Sequence, residues 1–233
     1  MRSDLWGALN GLDETIELVA GLPGSKAILF VSGGLPLKPG AVLFNAVEYR
    51  WPGLLGIHEL MLFDQTTEFE KLARRASESG VVVHTLDAAG VRAARSSGVE
   101  EELKNVVAIS ANMDADERTN LQLSLRQLAD STGGRAILNR NDAGPALAQL
   151  SDQIHTYYSL GYTPTRPPDE AFHRLKVEVQ RGGVELRYRN GYRDKTPTAR
   201  MAERLRAALA HGLEDNPLGI GVEVDTASRE AAD

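Results

Sequence analysis

The chain has 233 residues, enough to bury a full core in one domain or one and a half. Its 26 basic and 32 acidic side chains give a net charge of −6, mixed along the chain. That balance argues against broad nucleic-acid binding, which needs a basic footprint. Cysteine is absent, which excludes a disulfide framework, a thiolate metal site and a cysteine nucleophile.

No apolar run reaches the length of a membrane span, and Met1-Arg2-Ser3-Asp4 opens no signal-peptide core, so the chain as written reads as cytoplasmic. From Asp4 to Ala20, Leu5, Leu9, Leu12, Ile16 and Val19 form one stripe of an amphipathic helix. Ser3 or Asp4 caps its start and Gly21-Leu22-Pro23-Gly24 ends it. A strand follows over Lys26–Ser32, whose unbroken apolar run Ala27–Val31 suits a parallel strand covered on both faces.

Residues 33–64 read as a long irregular connection, with a short helix in its apolar second half between Leu54 and Phe63. Thr67 and Glu70 then stand at capping-box spacing, Phe69, Leu72, Ala73 and Ala76 form a buried stripe, and Gly80 stops the helix. Val81–Leu86 is a β-branched strand ending at Asp87. Residues 88–118 read as a polar, variable excursion with a weak helical patch around Val99–Ile109. A further helix is expected from Thr119 to Ser131, opened by a Thr119/Gln122 capping box and closed by Gly133-Gly134. Arg135–Leu138 is a short strand, and a helix from Asn141 or Asp142 buries Leu147, Leu150 and Ile154.

Strand and helix alternating in this order predict a parallel sheet with right-handed crossovers. After His155 the pattern changes to strands at Tyr157–Thr163, Phe172–Gln180 and Val184–Arg189, the last two joined by a turn at Arg181-Gly182-Gly183. These make an antiparallel meander on the end of the sheet. Pro197–His211 is a final helix striped by Met201, Leu205, Ala208 and Leu209, and residues 225–233 read as frayed. The fold class is therefore α/β, a doubly wound and mostly parallel sheet flanked by helices, with a C-terminal antiparallel meander and a terminal helix.

Functional chemistry is expected at the carboxyl ends of the parallel strands. There the chain offers Ser32, Gly33 and Gly34 after one strand and Asp87 after the next. A hydrolase elbow needs Gly two places before the serine, where Phe30 stands, so Ser32 reads as a turn residue. A phosphate cradle at Ser32-Gly33-Gly34 lacks both G-x-G-x-x-G and Gly-Lys-Ser/Thr, and Leu35-Pro36 opens no helix toward an anion.

His58, His84, His155, His173 and His211 are scattered, with no His-x-x-x-His pair for zinc. Asp87 reads as a cap of the following turn before it reads as a metal ligand. Asp114, Asp116 and Glu117 have the D-x-D spacing of calcium loops without the Gly and distant Glu of that motif, and read as a solvated loop. Five of the six tyrosines, Tyr157, Tyr158, Tyr162, Tyr188 and Tyr192, gather in the meander; contact surfaces and sheet cores both explain them.

Lys26–Pro36, Gly80–Gly90 (GVVVHTLDAAG), Leu128–Asp142 (LADSTGGRAILNRND), Tyr157–Pro164 (YYSLGYTP) and Phe172–Tyr192 together resemble the von Willebrand factor type A fold, in its bacterial VWFA-related branch. The resemblance covers roughly residues 4–193. It implies a domain over 1–163 lacking its first strands, a hairpin extension of the sheet over 164–193, and a C-terminal helix and tail over 194–233. It also implies a metal-ion-dependent adhesion site made from an Asp-x-Ser-x-Ser loop, a Thr, and an Asp after the strand matching Ala27–Val31. This chain has no Asp-x-Ser-x-Ser, begins at what resembles the helix after the Thr loop, and carries Gly33 at the Asp position.

Ser32 and Asp87 are thus the only candidates for a metal at the rim, and no metal, cofactor or catalytic residue is assigned. The tail Pro217–Val224 resembles an opening strand without a partner, which makes truncation at both ends the economical reading. The resemblance leaves an exported full-length form open. The expected function is non-enzymatic protein–protein recognition through residues 33–64 and 88–118, with a degenerate metal site; an uncovered sheet edge would favour self-association. The alternative is a small-molecule or nucleotide-binding α/β domain, or a hydrolase, using Ser32–Gly34.

Overall fold

A computed structural model describes residues 2–54, 61, 63–91, 101–156, 158–165, 167–184 and 186–212. Helix α1 spans Arg2–Ala20, and its predicted stripe forms one wall of the core, with Leu5, Leu9, Leu12 and Ile16 buried and Val19 packed beside them. The helix ends where Lys26 Nζ donates to the carbonyls of Ala20 (3.0 Å) and Leu22 (3.2 Å). A cation at the carbonyl end of a helix satisfies otherwise orphaned acceptors and opposes the helix dipole.

Strand β1 (Lys26–Ser32) pairs in parallel with β2 (Val81–Asp87), in a register that sets Lys26 beside Val81 and Ser32 beside Asp87. Strand β3 (Ala136–Ile137) pairs in parallel with the far end of β2, Thr85 against Ala136. The order β1-β2-β3 makes β2 central. On one face Val81 and Val83, with Ile28 and Phe30, pack against α1 and against helix α3 (Thr66–Glu78), which contributes the predicted Phe69, Leu72, Ala73 and Ala76. On the other face Leu86 and Ile137 pack under helix α5 (Gly144–His155) through Ala146, Leu147 and Leu150. Ile154 points out, 40% exposed, and Ala146 takes the burial expected of it.

Several expectations are corrected. Strand β1 is not covered on both faces: Ala27, Leu29 and Val31 are exposed, the last two at 42% and 54%. The reason is position: these residues share the face of Leu86 that α5 covers, but β1 is the edge strand on the far side of β2 from β3, where α5 packs. The irregular stretch after β1 holds helix α2 (Ala41–Arg50), missed because its apolar residues follow no single stripe. The helix expected between Leu54 and Phe63 falls largely outside the described residues. The excursion over 88–118 is in large part helix, because α4 runs unbroken from Glu101 to Thr132. Thr119 is therefore not a cap; it lies mid-helix with its hydroxyl donating to the Ala115 carbonyl (2.8 Å). Nor does Thr67 cap α3, whose first turn is held by Asp64 Oδ1 accepting from the Thr66 N–H (2.8 Å).

The meander is shorter than expected. Strands β4 (Phe172–Arg174) and β5 (Gly191–Arg193) form a separate two-stranded antiparallel sheet. Their register centres the hairpin between Gly182 and Gly183, as the predicted turn requires, but the ladder closes only at its open end, plus one bond from the Leu175 N–H to the Asn190 carbonyl (2.9 Å). Leu175 and Val177 still alternate with exposed Lys176 and Glu178. Residues 158–163 carry no strand, and Tyr158 is 97% exposed.

Helix α6 (Pro197–His211) is capped by Thr196 Oγ1, which accepts from the Ala199 N–H. Its expected stripe faces solvent, with Met201, Leu205 and Leu209 exposed. It docks instead through Ala207, fully buried, and through the Glu203 backbone, which lies so close to Gly21 at the end of α1 that a Cβ there would sit 2.0 Å from the Glu203 oxygen. Small residues permit that approach; the apolar stripe does not.

Beside β2 the chain passes through a narrow place. Thr132 Oγ1 accepts from the Val83 N–H (3.0 Å), taking the place of a strand partner where β3 has not yet begun. A Cβ on Gly134 would lie 2.0 Å from the Val83 oxygen, and one on Gly133 (φ 78°) would lie 2.6 Å from the Tyr188 carbonyl carbon. Gly134→Ala should therefore cost about 3 kcal/mol or more, lowering Tm by roughly 6–12 °C in a chain of this size. Thr132→Val, which keeps the shape and removes the hydroxyl, should cost about 1–3 kcal/mol. Gly7→Ala and Gly11→Ala, on the exposed side of α1 with nothing within 4 Å, should stabilise by up to about 1 kcal/mol. Urea denaturation of the four variants tests both signs.

Candidate functional site

The carboxyl ends of β1 and β2 bring Ser32 and Asp87 into register, as the two rim candidates require. Ser32 Oγ accepts from the N–H of Gly34 (3.2 Å), closing the turn on itself. The next donor, the Leu35 N–H, goes to Ser124 Oγ (3.3 Å) on α4. Gly34 has φ 95°, and a Cβ there would lie 2.6 Å from the Leu121 Cβ. The glycine is needed so that this turn can press against α4. Two of the backbone donors that a phosphate cradle would use are thereby engaged within the protein.

Asp87 is 6% exposed. Its Oδ1 accepts from the Ala89 N–H (2.9 Å), the Asx-turn geometry anticipated for it, and its Oδ2 accepts from Gln122 Nε2 (3.0 Å). Gln122 in turn donates to Asn139 Oδ1 (2.8 Å). Asn139 follows β3 with φ 54°, a left-handed conformation that asparagine tolerates better than most side chains. The rim is thus a line of neutral amides anchored on one carboxylate. Sequence reasoning missed Gln122 and Asn139; the signal for Asn139 was its place at the end of a strand.

The other sequence candidates do not converge. His58 lies outside the described residues. His84 is buried on the α5 side of β2 and its Nδ1 accepts from the Arg135 N–H (3.0 Å), which fixes the proton of the neutral ring on Nε2. His173 pairs with Asp169 (2.9 Å), His211 Nε2 lies 3.2 Å from the Leu18 carbonyl, and His155 ends α5. Asp114, Asp116 and Glu117 sit on α4 rather than in a loop, so helical geometry turns Asp114 and Asp116 to different sides; Asp116 accepts from Asn45 Nδ2 (3.2 Å). Among the described residues no three His, Asp or Glu side chains gather closely enough to hold a metal ion. Tyr162 and Tyr192 meet edge to face, 5.7 Å apart, with their hydroxyls hydrogen-bonded; Tyr157 lies outside the described residues.

The connection after β1 is different in kind. Helix α2 buries none of its ten residues, and Leu43, Tyr49, Trp51, Leu54, Met61 and Phe63 are all exposed, from 42% to 69%. It is held against α4 by polar contacts at its edges: Lys38 and Asn120 exchange two hydrogen bonds of 3.0 Å, and Asn45 reaches Asp116. Arg50 stacks over the Trp51 ring at 5.3 Å. These exposed apolar side chains stand in the connection that follows the carboxyl end of β1. No helix among the described residues is long and apolar enough to cross a membrane. Comparison of this chain with known family models, curated proteins and solved structures gives no match.

Burial chiefly, then the positive charges of Arg187 and Arg135, lower the His84 pKa from its ordinary 6.5. The unfolded chain then binds the extra proton more readily than the folded one. The His84 contribution is complete above about pH 6.5 and is lost as pH falls below it toward the lowered folded value. Tm should fall across that window, and His84→Gln, whose side-chain oxygen can still accept from Arg135, should flatten the slope there.

Proposed function

We propose that this chain is a protein-recognition domain of von Willebrand A type, without enzymatic activity, whose metal-ion-dependent adhesion site is degenerate. The observation that carries the reading is α2 and the segment after it: a helix with no buried residue, presenting Leu43, Tyr49 and Trp51 beside Leu54, Met61 and Phe63. Aromatic and methionine side chains are enriched in protein interfaces, and exposed apolar groups of this density mark contact sites. Loops on a rigid α/β scaffold commonly carry recognition. The state of the rim supports the same reading, because both oxygens of Asp87 and the hydroxyl of Ser32 are engaged in turns and amide contacts. The exposed row Ala27, Leu29 and Val31 on edge strand β1 adds a second apolar face open to a partner, including another copy of the chain.

Partner capture followed by substitution tests the proposal. Leu43→Asp with Trp51→Asp, both at exposed positions, should leave Tm within about 1 °C and abolish capture of a partner held by the unaltered chain. Retained capture by the double variant would remove α2 from the interface. Magnesium, manganese or calcium titrated by calorimetry should give no saturable heat; one-to-one uptake abolished by Asp87→Ala would overturn the degenerate-site reading. A nucleotide-specific rise in Tm, lost in Ser32→Ala, would favour the small-molecule alternative instead.

A further inference from the structure

Strand β1 ends the parallel sheet on one side, and among the described residues no strand pairs with its outer edge. One bond fixes which of its backbone groups point that way. The Ala88 N–H donates to the Ser32 carbonyl (2.9 Å), just past the register pair Ser32–Asp87. In a strand the N–H and C=O of one residue point to the same side, and those of the next residue to the other. Lys26, Ile28, Phe30 and Ser32 therefore bond toward β2, while Ala27, Leu29 and Val31 turn their backbone groups away from the sheet. The central strand is in phase with this: Val83 and Thr85 donate on the side away from β1, to Thr132 Oγ1 and to the Arg135 carbonyl.

The three residues with outward backbone groups are also the three with exposed side chains. Nothing in β1 guards this edge. Sheet edges are ordinarily blunted by a charge, a proline or a bulge. From Ala27 to Val31 the strand has neither charge nor proline, and its register with β2 runs unbroken. Lys26, the charged residue of the strand, is turned back onto the carbonyls of Ala20 and Leu22.

The strand is also complementary to itself. Set antiparallel to a second β1 about a two-fold axis at Leu29, it places Leu29 opposite Leu29, Ala27 opposite Val31, Ile28 opposite Phe30, and Lys26 opposite neutral Ser32. The outward residues then fall at the hydrogen-bonded pairs, each exchanging N–H and C=O in both directions. No like charges meet. One face gathers the rows Ala27, Leu29 and Val31 of both copies, and the other brings Ile28 beside Phe30 at the margin of each core.

From this geometry we infer that the chain forms a two-fold dimer with a second copy of itself through the outer edge of β1, joining the two parallel sheets antiparallel into one continuous sheet. The inference rests on the reading of β1 as an open face given above, and not on that of α2.

Sedimentation equilibrium of the full chain at rising concentration tests it. A monomer–dimer equilibrium that stops at the dimer is expected, because a two-fold contact is closed. Leu29→Lys and Leu29→Glu, each setting like charges opposite one another on the axis, should each weaken dimerisation by roughly tenfold or more, and an equimolar mixture of the two should restore it. Leu29 is exposed, so unchanged Tm checks that folding is intact. Leu29→Cys supplies a second readout in a chain without cysteine: oxidation should link two copies through it, whereas Ala27→Cys, standing opposite Val31, should stay unlinked. Leu43→Asp with Trp51→Asp should dimerise as the unaltered chain does, so retained partner capture in that variant would remove α2 from recognition and leave the dimer standing. A monomer at every concentration, growth past the dimer, a dimer indifferent to charge at Leu29, or equal linkage of both cysteine variants would overturn the inference. So would a dimer lost with the α2 substitutions, which would move the contact to that helix.

Discussion

The close passage of Thr132, Gly133 and Gly134 against β2 is the constraint on which the rest of the structure depends. A two-residue β3 cannot complete the ladder of a seven-residue central strand. The buried Thr132 hydroxyl engages the Val83 N–H, and Gly134 lets the backbone come near enough for Thr85 to reach the Arg135 carbonyl (2.9 Å). An unpaired donor at Val83, fully buried, would cost about as much as a lost core side chain. Gly133, next to Gly134, admits Tyr188 and Arg189 from the hairpin on the other side. One turn thus ties α4, the parallel sheet and the antiparallel hairpin together. The Gly134 carbonyl in turn accepts from Arg187 of the hairpin (2.8 Å).

That anchoring divides the molecule by chemistry. At the carboxyl rim the polar groups are consumed locally, by an Asx turn at Asp87, a serine turn at Ser32 and the amides of Gln122 and Asn139. What stays exposed on α2 and on the open face of β1, among the described residues, is largely apolar.

Much of the architecture was legible in the residues because it rests on local periodicity. The stripe of α1, the stripe of α3, the boundaries of β1 and β2 and the extent of α6 follow from spacing alone, and all are observed at or within a few residues of their expected limits. Helix α4 was underestimated because its amino-terminal half shows only a weak helical patch around Val99–Ile109, separated from the clear stripe by Asp114, Asp116 and Glu117. Helix α2 was missed for the opposite reason, being apolar on most sides and stopped by Trp51-Pro52 with no amphipathic signature. The meander was overextended because the alternation marks Leu175 and Val177 as turning inward, but fails at exposed Val179 and does not decide whether a second strand comes close enough to pair. At the rim, Asp87 as a turn cap was readable from its place after a strand; its bond to Gln122, thirty-five residues away, was not.

The sequence by itself determined an α/β chain with parallel pairing of its first two strands, and the face of α1 and α3 that is buried, because these depend on near-neighbour geometry. Only the tertiary structure decided which strand stands at the edge, which side of α6 is buried, and which amides meet Asp87 at the rim. Those outcomes rest on contacts between segments far apart in the chain, and on whether a glycine or an alanine lets two backbones approach. The apolar stripe of α6 shows the difference most plainly: the pattern marks Met201, Leu205 and Leu209 for the core, while the approach at Gly21 buries Ala207 instead.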